Sequence, residues 1–127
     1  MDMRVINCAQ SILVADLPEV PLDPVIQKVL DGDPKIRHRI IDMSPDGRVE
    51  RGLWELSVGT ITDEEYDEMF VVVKGRATVQ FIDGPTIEIG PGDVGLLQAR
   101  AKTIWTVHET LRKAYQITYT DDYPPRW

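Results

Sequence analysis

From residue 35 onward, hydrophobic and polar positions alternate in short runs with period two, the signature of half-buried strands. The run I-R-H-R-I at 36–40 puts His38 on one face with Ile36 and Ile40, and Arg37 and Arg39 on the other. SPDG at 44–47 reads as a turn. Further strands are expected at 52–59, 69–75, 77–84, 86–90, 94–99, 103–109 and 112–119, with PGD at 91–93 turning the chain between two of them. Such short strands, spaced roughly 8–12 residues apart and punctuated by Gly and Pro, indicate a β-sandwich or barrel. One short helix is expected at 24–30, capped by Asp23, with Pro24 in its first turn and Gly32 closing it. No longer helix is available for a βαβ crossover, so a parallel α/β sheet is excluded. The pattern divides the chain into an N-terminal extension (1–34) packed on a barrel (35–120), and a tail (121–127). The tail, DDYPPRW, reads as a disordered end or as an arm on a neighbouring subunit, and Trp127 keeps the second reading open.

Composition narrows the class of protein. A length of 127 residues suits a single domain with a core of its own. Fourteen Lys and Arg against twenty-one Asp and Glu give a net charge of −7. That balance argues against nucleic acid and against an anionic membrane surface, both of which need clustered cations. The chain has no run of 18 apolar residues and no secretory leader pattern, so a cytoplasmic location is expected. The single cysteine, Cys8, cannot close an intramolecular disulfide and reads as a small apolar filler rather than a nucleophile.

The segments EMFVVVKGRATVQFIDG and IEIGPGDVGLL resemble a cupin, the small double-sheet β-barrel family. More narrowly, GLWE at 52–55, YDEMFVVVKG at 66–75, Trp105 and RKAY at 112–115 resemble the compact cupins grouped with the cupin domain of ureidoglycine aminohydrolase and the ethanolamine-utilisation cupin. The resemblance runs from about Val29 to Tyr119. It implies an all-β fold, a cupin double-stranded β-helix or jelly-roll barrel, here with an N-terminal extension containing one short helix. Small cupins pair across exposed sheet edges or faces, so it also implies a homodimer. The strand candidate at 4–8 and the aromatic tail are spare elements for covering a neighbour.

Metal-binding cupins carry a glycine, five residues, His-x-His, three or four residues, Glu, six residues and Gly. Glu68 and Gly75 keep the second half of that motif. Counted back from Glu68, the histidine places fall on Thr62 and Glu64, or on Ile61 and Asp63; counted forward from Gly59 they fall on Glu65 and Asp67. Gly59 precedes Glu68 by nine positions instead of twelve or thirteen, so the ligand-bearing hairpin is shortened. In the second motif, counted from Gly92, Gln98, Arg100, Thr103 and Val107 stand in the places of Pro, Gly, His and Asn. Imidazole suits zinc, iron, nickel and copper, and a lone inward glutamate is a poor site for any of them. Neither a metal nor another cofactor is therefore expected. The acidic run Asp63, Glu64, Glu65, Asp67, Glu68 reads as a solvated turn, and His38 and His108 as structural residues.

The orientation implied by the family motif sends Glu68 into the barrel, where desolvation raises a carboxyl pKa unless a cation or donors compensate. Lys113 is the natural partner, because it shares the more apolar face of its strand with Tyr115, Ile117 and Tyr119. Glu68 and Lys113 are the candidate catalytic pair. Trp54, Phe70, Trp105 and Tyr115 are the candidate pocket walls, and Tyr66 and Gln98 candidate polar contacts at its mouth. The function expected is a metal-independent cupin that binds a small organic metabolite and catalyses a proton transfer of the isomerase, epimerase or lyase type through Glu68. The alternatives are a non-catalytic binding or sensor module and a divergent metal-dependent hydrolase such as an aminohydrolase.

Overall fold

The computed structural model describes residues 17–126. Residues 4–8, Cys8 and Trp127 lie outside that range. Nine strands follow in order: β1 Glu19–Val20, β2 Val29–Gly32, β3 Ile36–Met43, β4 Val49–Leu56, β5 Gly59–Glu64, β6 Asp67–Phe81, β7 Thr86–Ile89, β8 Val94–Leu97 and β9 Lys102–Thr118. Every strand pairing is antiparallel.

Two long strands, β6 and β9, pair along most of their length and run through both halves of the barrel. The C-terminal part of β9 pairs with β4, while its N-terminal part pairs with β5. On the other flank, the start of β6 pairs with β8 and its end with β7. One half is thus β1-β3-β4-β9-β6-β8 and the other β2-β5-β9-β6-β7, the jelly-roll arrangement expected from the sequence.

The turn into the second half is made at Gly75. Its φ is +89°, and a Cβ there would lie 2.1 Å from the carbonyl oxygen of Thr110. Register shifts between Val72 and Ala77 change which alternate residues face inward. Phe70 and Val72 are buried before the bulge, and Ala77 and Val79 after it. Lys113 occupies a place in the buried register of β9, between Leu111 and Tyr115.

No helix forms at 24–30 among the described residues. Asp23 does accept from the backbone N–H of Val25, and Gln27 N–H closes one turn on the Asp23 carbonyl. The chain then extends, because Val29–Gly32 pairs with β5 and interstrand hydrogen bonds replace helical ones. Two further expectations are corrected. Residues 52–59 are not one strand, since Ser57 and Val58 separate β4 from β5. Residues 59–64 are a strand rather than part of a solvated acidic turn, so Glu65 and Tyr66 alone link it to β6. The described tail residues fold back on their own chain: Tyr123 donates to Glu64 at 2.9 Å, and the backbone N–H of Arg126 donates to the Tyr66 hydroxyl at 2.9 Å. Outside the barrel, Met69, Val71, Val73, Val94 and Leu96 form an exposed apolar strip across β6 and β8. No helix among the described residues is long and apolar enough to cross a membrane.

Candidate functional site

The inner faces of β3, β4, β5, β6 and β9 enclose a cavity of about 450 Å³, with Trp54, Tyr66, Glu68, Lys113, Tyr115 and Tyr119 among its walls. Residues 20–24 and Arg126 border it as well. The lysine is the centre of one end. Lys113 is 4% exposed, and its Nζ donates to Oε2 of Glu68 at 2.6 Å. The same ammonium lies 4.6 Å from the ring centre of Trp54, 4.8 Å from Phe70 and 5.0 Å from Trp105. Three ring faces and one carboxylate therefore replace the water it would hold outside. Register explains the placement, since Trp54 pairs with Lys113 across β4 and β9, and Val72 pairs with it across β6. Burial pushes the Glu68 carboxyl above its ordinary range; Lys113 opposes that shift without cancelling it.

Beside this pair lies a second carboxylate with a different set of donors. Glu50, 2% exposed, accepts from Tyr115 at 2.5 Å on one oxygen and from Tyr119 at 2.6 Å on the other. Nε2 of His38 is also hydrogen-bonded to the Tyr115 oxygen. A phenol has one proton and Tyr115 gives it to Glu50, so Nε2 of His38 is the protonated nitrogen and the donor. Burial holds His38 below its usual pKa; Glu50 works against that shift and Lys113 adds to it. Tyr115 is pushed up by burial, then by the charge of Glu50 and by the bond it donates. Gly52 makes room for this geometry. It pairs with Tyr115, and a Cβ at residue 52 would lie 2.6 Å from the phenol oxygen.

The third group of acids comes from the end of β5 and the link to β6. Glu65, 5% exposed, accepts on Oε2 from the Thr103 hydroxyl at 2.6 Å and the Trp105 indole N–H at 2.9 Å. Asp63 accepts from the Gln27 amide at 3.3 Å and from the N–H of Glu64 at 2.8 Å. Its carboxyl is raised well above 3.8, first by removal from water and then by the charge of Glu65. A carboxyl raised by folding binds its proton more tightly in the folded state. It therefore destabilises the fold as pH rises from about the unfolded value, 3.8, through the folded one. Asp63→Asn is expected to raise the melting temperature at pH 7, with the gain vanishing below about pH 4. Thermal melts of both proteins across that range test this, and a variant less stable at pH 7 would refute it.

Of the candidates named from sequence, Trp54, Tyr66, Glu68, Lys113 and Tyr115 line the cavity. Phe70 and Trp105 are buried behind the ammonium. Gln98 is exposed and outside the lining, because it follows β8 where the chain turns on the outer surface. Glu65 is buried and Asp63 half-buried, since the strand placed over 59–64 sends alternate residues inward. Sequence reading missed Glu50, whose signal was its alternation with Gly52 and Trp54, one step upstream of the strand start assumed. His108 sits on the outer face, hydrogen-bonded to Thr78 at 2.7 Å.

The residues present do not fit a cupin metal. Among the described residues, no three His, Cys, Asp or Glu side chains are grouped to hold an ion. Glu68, which keeps the ligand place of the motif, is bound to an ammonium that would repel a dication. Thr103, in a histidine place of the second motif, is committed to Glu65, and Val107 is packed in the core.

A curled antiparallel jelly roll around a cavity with charged groups on its walls defines a small cupin-type barrel. The family model for the EutQ-like cupin domain matches residues 43–115, and the chain belongs to that family. Solved structures with the same fold include the EutQ protein of Clostridium difficile, at a TM-score of 0.61 and 20% identity over 85% of this chain and 83% of that one. A protein of unknown function from Pseudomonas syringae pv. tomato superposes at a TM-score of 0.65 and 21% identity, over 83% of this chain and 45% of that one. Ectoine synthase from P. lautus gives 0.56 and 20% identity, over 75% and 70% of the two chains. Comparison with the curated proteins finds no match.

Proposed function

We propose that this cupin binds a small organic molecule in its barrel and moves a proton on it, with Glu68 as the base and Lys113 holding the developing negative charge. The observation that carries this reading is the buried Lys113–Glu68 pair at 2.6 Å in the wall of a cavity of about 450 Å³. That volume suits a metabolite, and its walls combine aromatic rings with a few polar groups. A carboxyl shifted upward by burial is closer to the pKa of a general base that works near neutral pH. In the step itself, Glu68 takes a proton from the bound compound and becomes neutral. The ammonium stays charged beside the new anion, and the proton returns to the compound at the same or another atom. The donor set gives a metal no role, so the aminohydrolase alternative has little support. An ectoine synthase with the same fold supports the view that such a barrel can host small-molecule chemistry.

The test starts from protein purified without added ligand or metal. Mass spectrometry of the compound released on denaturation is expected to give one species close to one per chain. Reloaded in deuterium oxide, it should gain the mass of one deuterium faster than it does free in solution. A compound that is bound and released without exchange would replace this reading with that of a sensor or carrier.

A further inference from the structure

Across Trp54 from Lys113, the cavity wall carries a histidine that the proton transfer described above does not use. His38 lines the cavity from β3; its Nε2–H donates to the Tyr115 oxygen, and the Tyr115 hydroxyl donates to Glu50 at 2.5 Å. Tyr119 holds the other oxygen of Glu50 at 2.6 Å, so the carboxylate that ends this chain of bonds is itself fixed. With the proton on Nε2, the lone pair of the ring is on Nδ1. That nitrogen has no hydrogen-bond partner among the described residues. No buried side-chain nitrogen or oxygen there lacks a partner, so Nδ1 opens on space that a bound compound can reach. A histidine that serves the core alone bonds through both nitrogens, whereas this one is oriented through one and presents the other. Burial, reinforced by the charge of Lys113 and opposed by that of Glu50, keeps the ring neutral, and the lone pair is available near neutral pH.

Register places His38 and Glu68 on either side of the same floor. Trp54 pairs with His38 on one flank and with Lys113 on the other, and Ile117 pairs with both Glu50 and Glu68. His38 and Glu68 therefore stand three strands apart, roughly 14 Å along a sheet whose curl brings both into one cavity wall. A compound lying over Trp54 and Ile117 meets both. We infer that Nδ1 of His38 receives the hydroxyl proton of an α-hydroxy carbonyl compound whose carbon-bound proton goes to Glu68, with Tyr115 and Glu50 as positioning residues that fix the imidazole. This rests on reading Glu68 as the base of a small-molecule site, and it adds the substrate class. A hydroxyl suits a neutral acceptor, whereas an ammonium prefers a carboxylate. In the step, Glu68 takes the C–H proton, the electron pair of that bond forms a C=C bond, and the carbonyl oxygen becomes an anion. The hydroxyl proton passes to Nδ1 and from there to that anion, while Glu50, 3.9 Å from Nε2, balances the charge that the ring briefly carries. Glu68 then returns its proton to the former carbonyl carbon, and the carbonyl stands one carbon further along. Two protons leave, two return, and no oxidant is needed.

Nitrogen NMR of protein labelled in histidine tests this cleanly, because the chain has two imidazoles and His108→Gln, on the outer face, tells them apart. His38 is expected as the Nε2–H tautomer, and Tyr115→Phe is expected to mix the two tautomers. Hydroxyacetone should move the Nδ1 resonance of His38, and methoxyacetone, which lacks the O–H, should leave it in place. In deuterium oxide the protein should accelerate exchange of the methylene hydrogens of hydroxyacetone about tenfold or more beyond those of methoxyacetone. His38→Asn should bring the two accelerations together by slowing hydroxyacetone alone, Glu68→Gln should slow both, and His108→Gln neither. Circular dichroism checks each fold, and if His38→Asn does not fold, the tautomer and the Nδ1 resonance of the wild type decide. An Nδ1–H tautomer, an Nδ1 resonance that hydroxyacetone leaves in place or that methoxyacetone moves as far, or equal slowing of both compounds by His38→Asn overturns the inference. A hydroxyl-dependent movement of Nδ1 with no exchange of either compound would instead remove Glu68 as the base and leave the contact between His38 and the hydroxyl standing.

Discussion

Lys113→Met is expected to cost the fold about 3–5 kcal/mol, the usual penalty for removing one partner of a buried ion pair. Methionine fills much of the lysine stem's volume among Trp54, Phe70 and Trp105, so the loss isolates the charge. What remains is Glu68 with no counter-ion. Its carboxyl is already raised with the ammonium 2.6 Å away, and without it the shift grows. The sign follows from that direction. A carboxyl whose folded pKa exceeds its unfolded value of about 4.5 weakens the fold as pH rises through the folded value. The gap between wild type and variant should therefore widen above about pH 4.5 and narrow below it. Adding Glu68→Leu to Lys113→Met should recover most of the stability, because a buried pair replaced by apolar groups is often neutral. Urea denaturation of the two single variants and the double variant measures the coupling. A cost under about 1 kcal/mol for Lys113→Met would mean that the pair is open to water.

Glu68→Gln is expected to slow the proton exchange proposed above by about 10²–10⁴-fold, the range contributed by a positioned general base. Glutamine keeps the side-chain length and an oxygen for the Lys113 ammonium, so the cavity retains its shape. The loss should fall on kcat, with KM little changed, because the compound still binds and only the proton acceptor is gone. In the wild type, Glu68 must be ionised to act. Its rate should rise with pH through a value above the ordinary carboxylate range, and the variant's residual rate should lack that limb. Exchange followed by mass spectrometry across pH settles the matter. A variant that exchanges as fast as wild type would remove Glu68 from the chemistry.

Much of the fold was legible because inward and outward residues alternate so regularly. Two of the motifs that pointed to the family, GLWE at 52–55 and RKAY at 112–115, turn out to be partners in register. Gly52 faces Tyr115, Trp54 faces Lys113 and Glu55 faces Arg112. Glu55 and Arg112 bond at 3.0 Å. The glycine clears the phenol, the tryptophan covers the ammonium, and the glutamate anchors the neighbouring arginine. The sequence could not say that Asp63 and Glu65 point inward, because a run of five acids within six residues has no period to read. Only the pairing of residues 59–64 with β9 imposes one. The expected helix failed for a related reason. Its cap and first turn are real, but capping is a local preference and the free edge of β5 is a long-range one.

The donors that hold Glu50, Glu65 and Glu68 come from β9 or the residue just past it. Thr103 and Trp105 serve Glu65, Lys113 serves Glu68, and Tyr115 and Tyr119 serve Glu50. The acceptors come from three other stretches of chain. Half of the site is therefore written as one uninterrupted phrase, T-x-W-x7-K-x-Y-x3-Y, spanning 103–119. Such a phrase can be inherited, lost or grafted as a unit. A relative that keeps it together with Glu50, Glu65 and Glu68 would have kept the whole lattice of bonds, and one that breaks it at the lysine would have to fill the gap in the charge by other means.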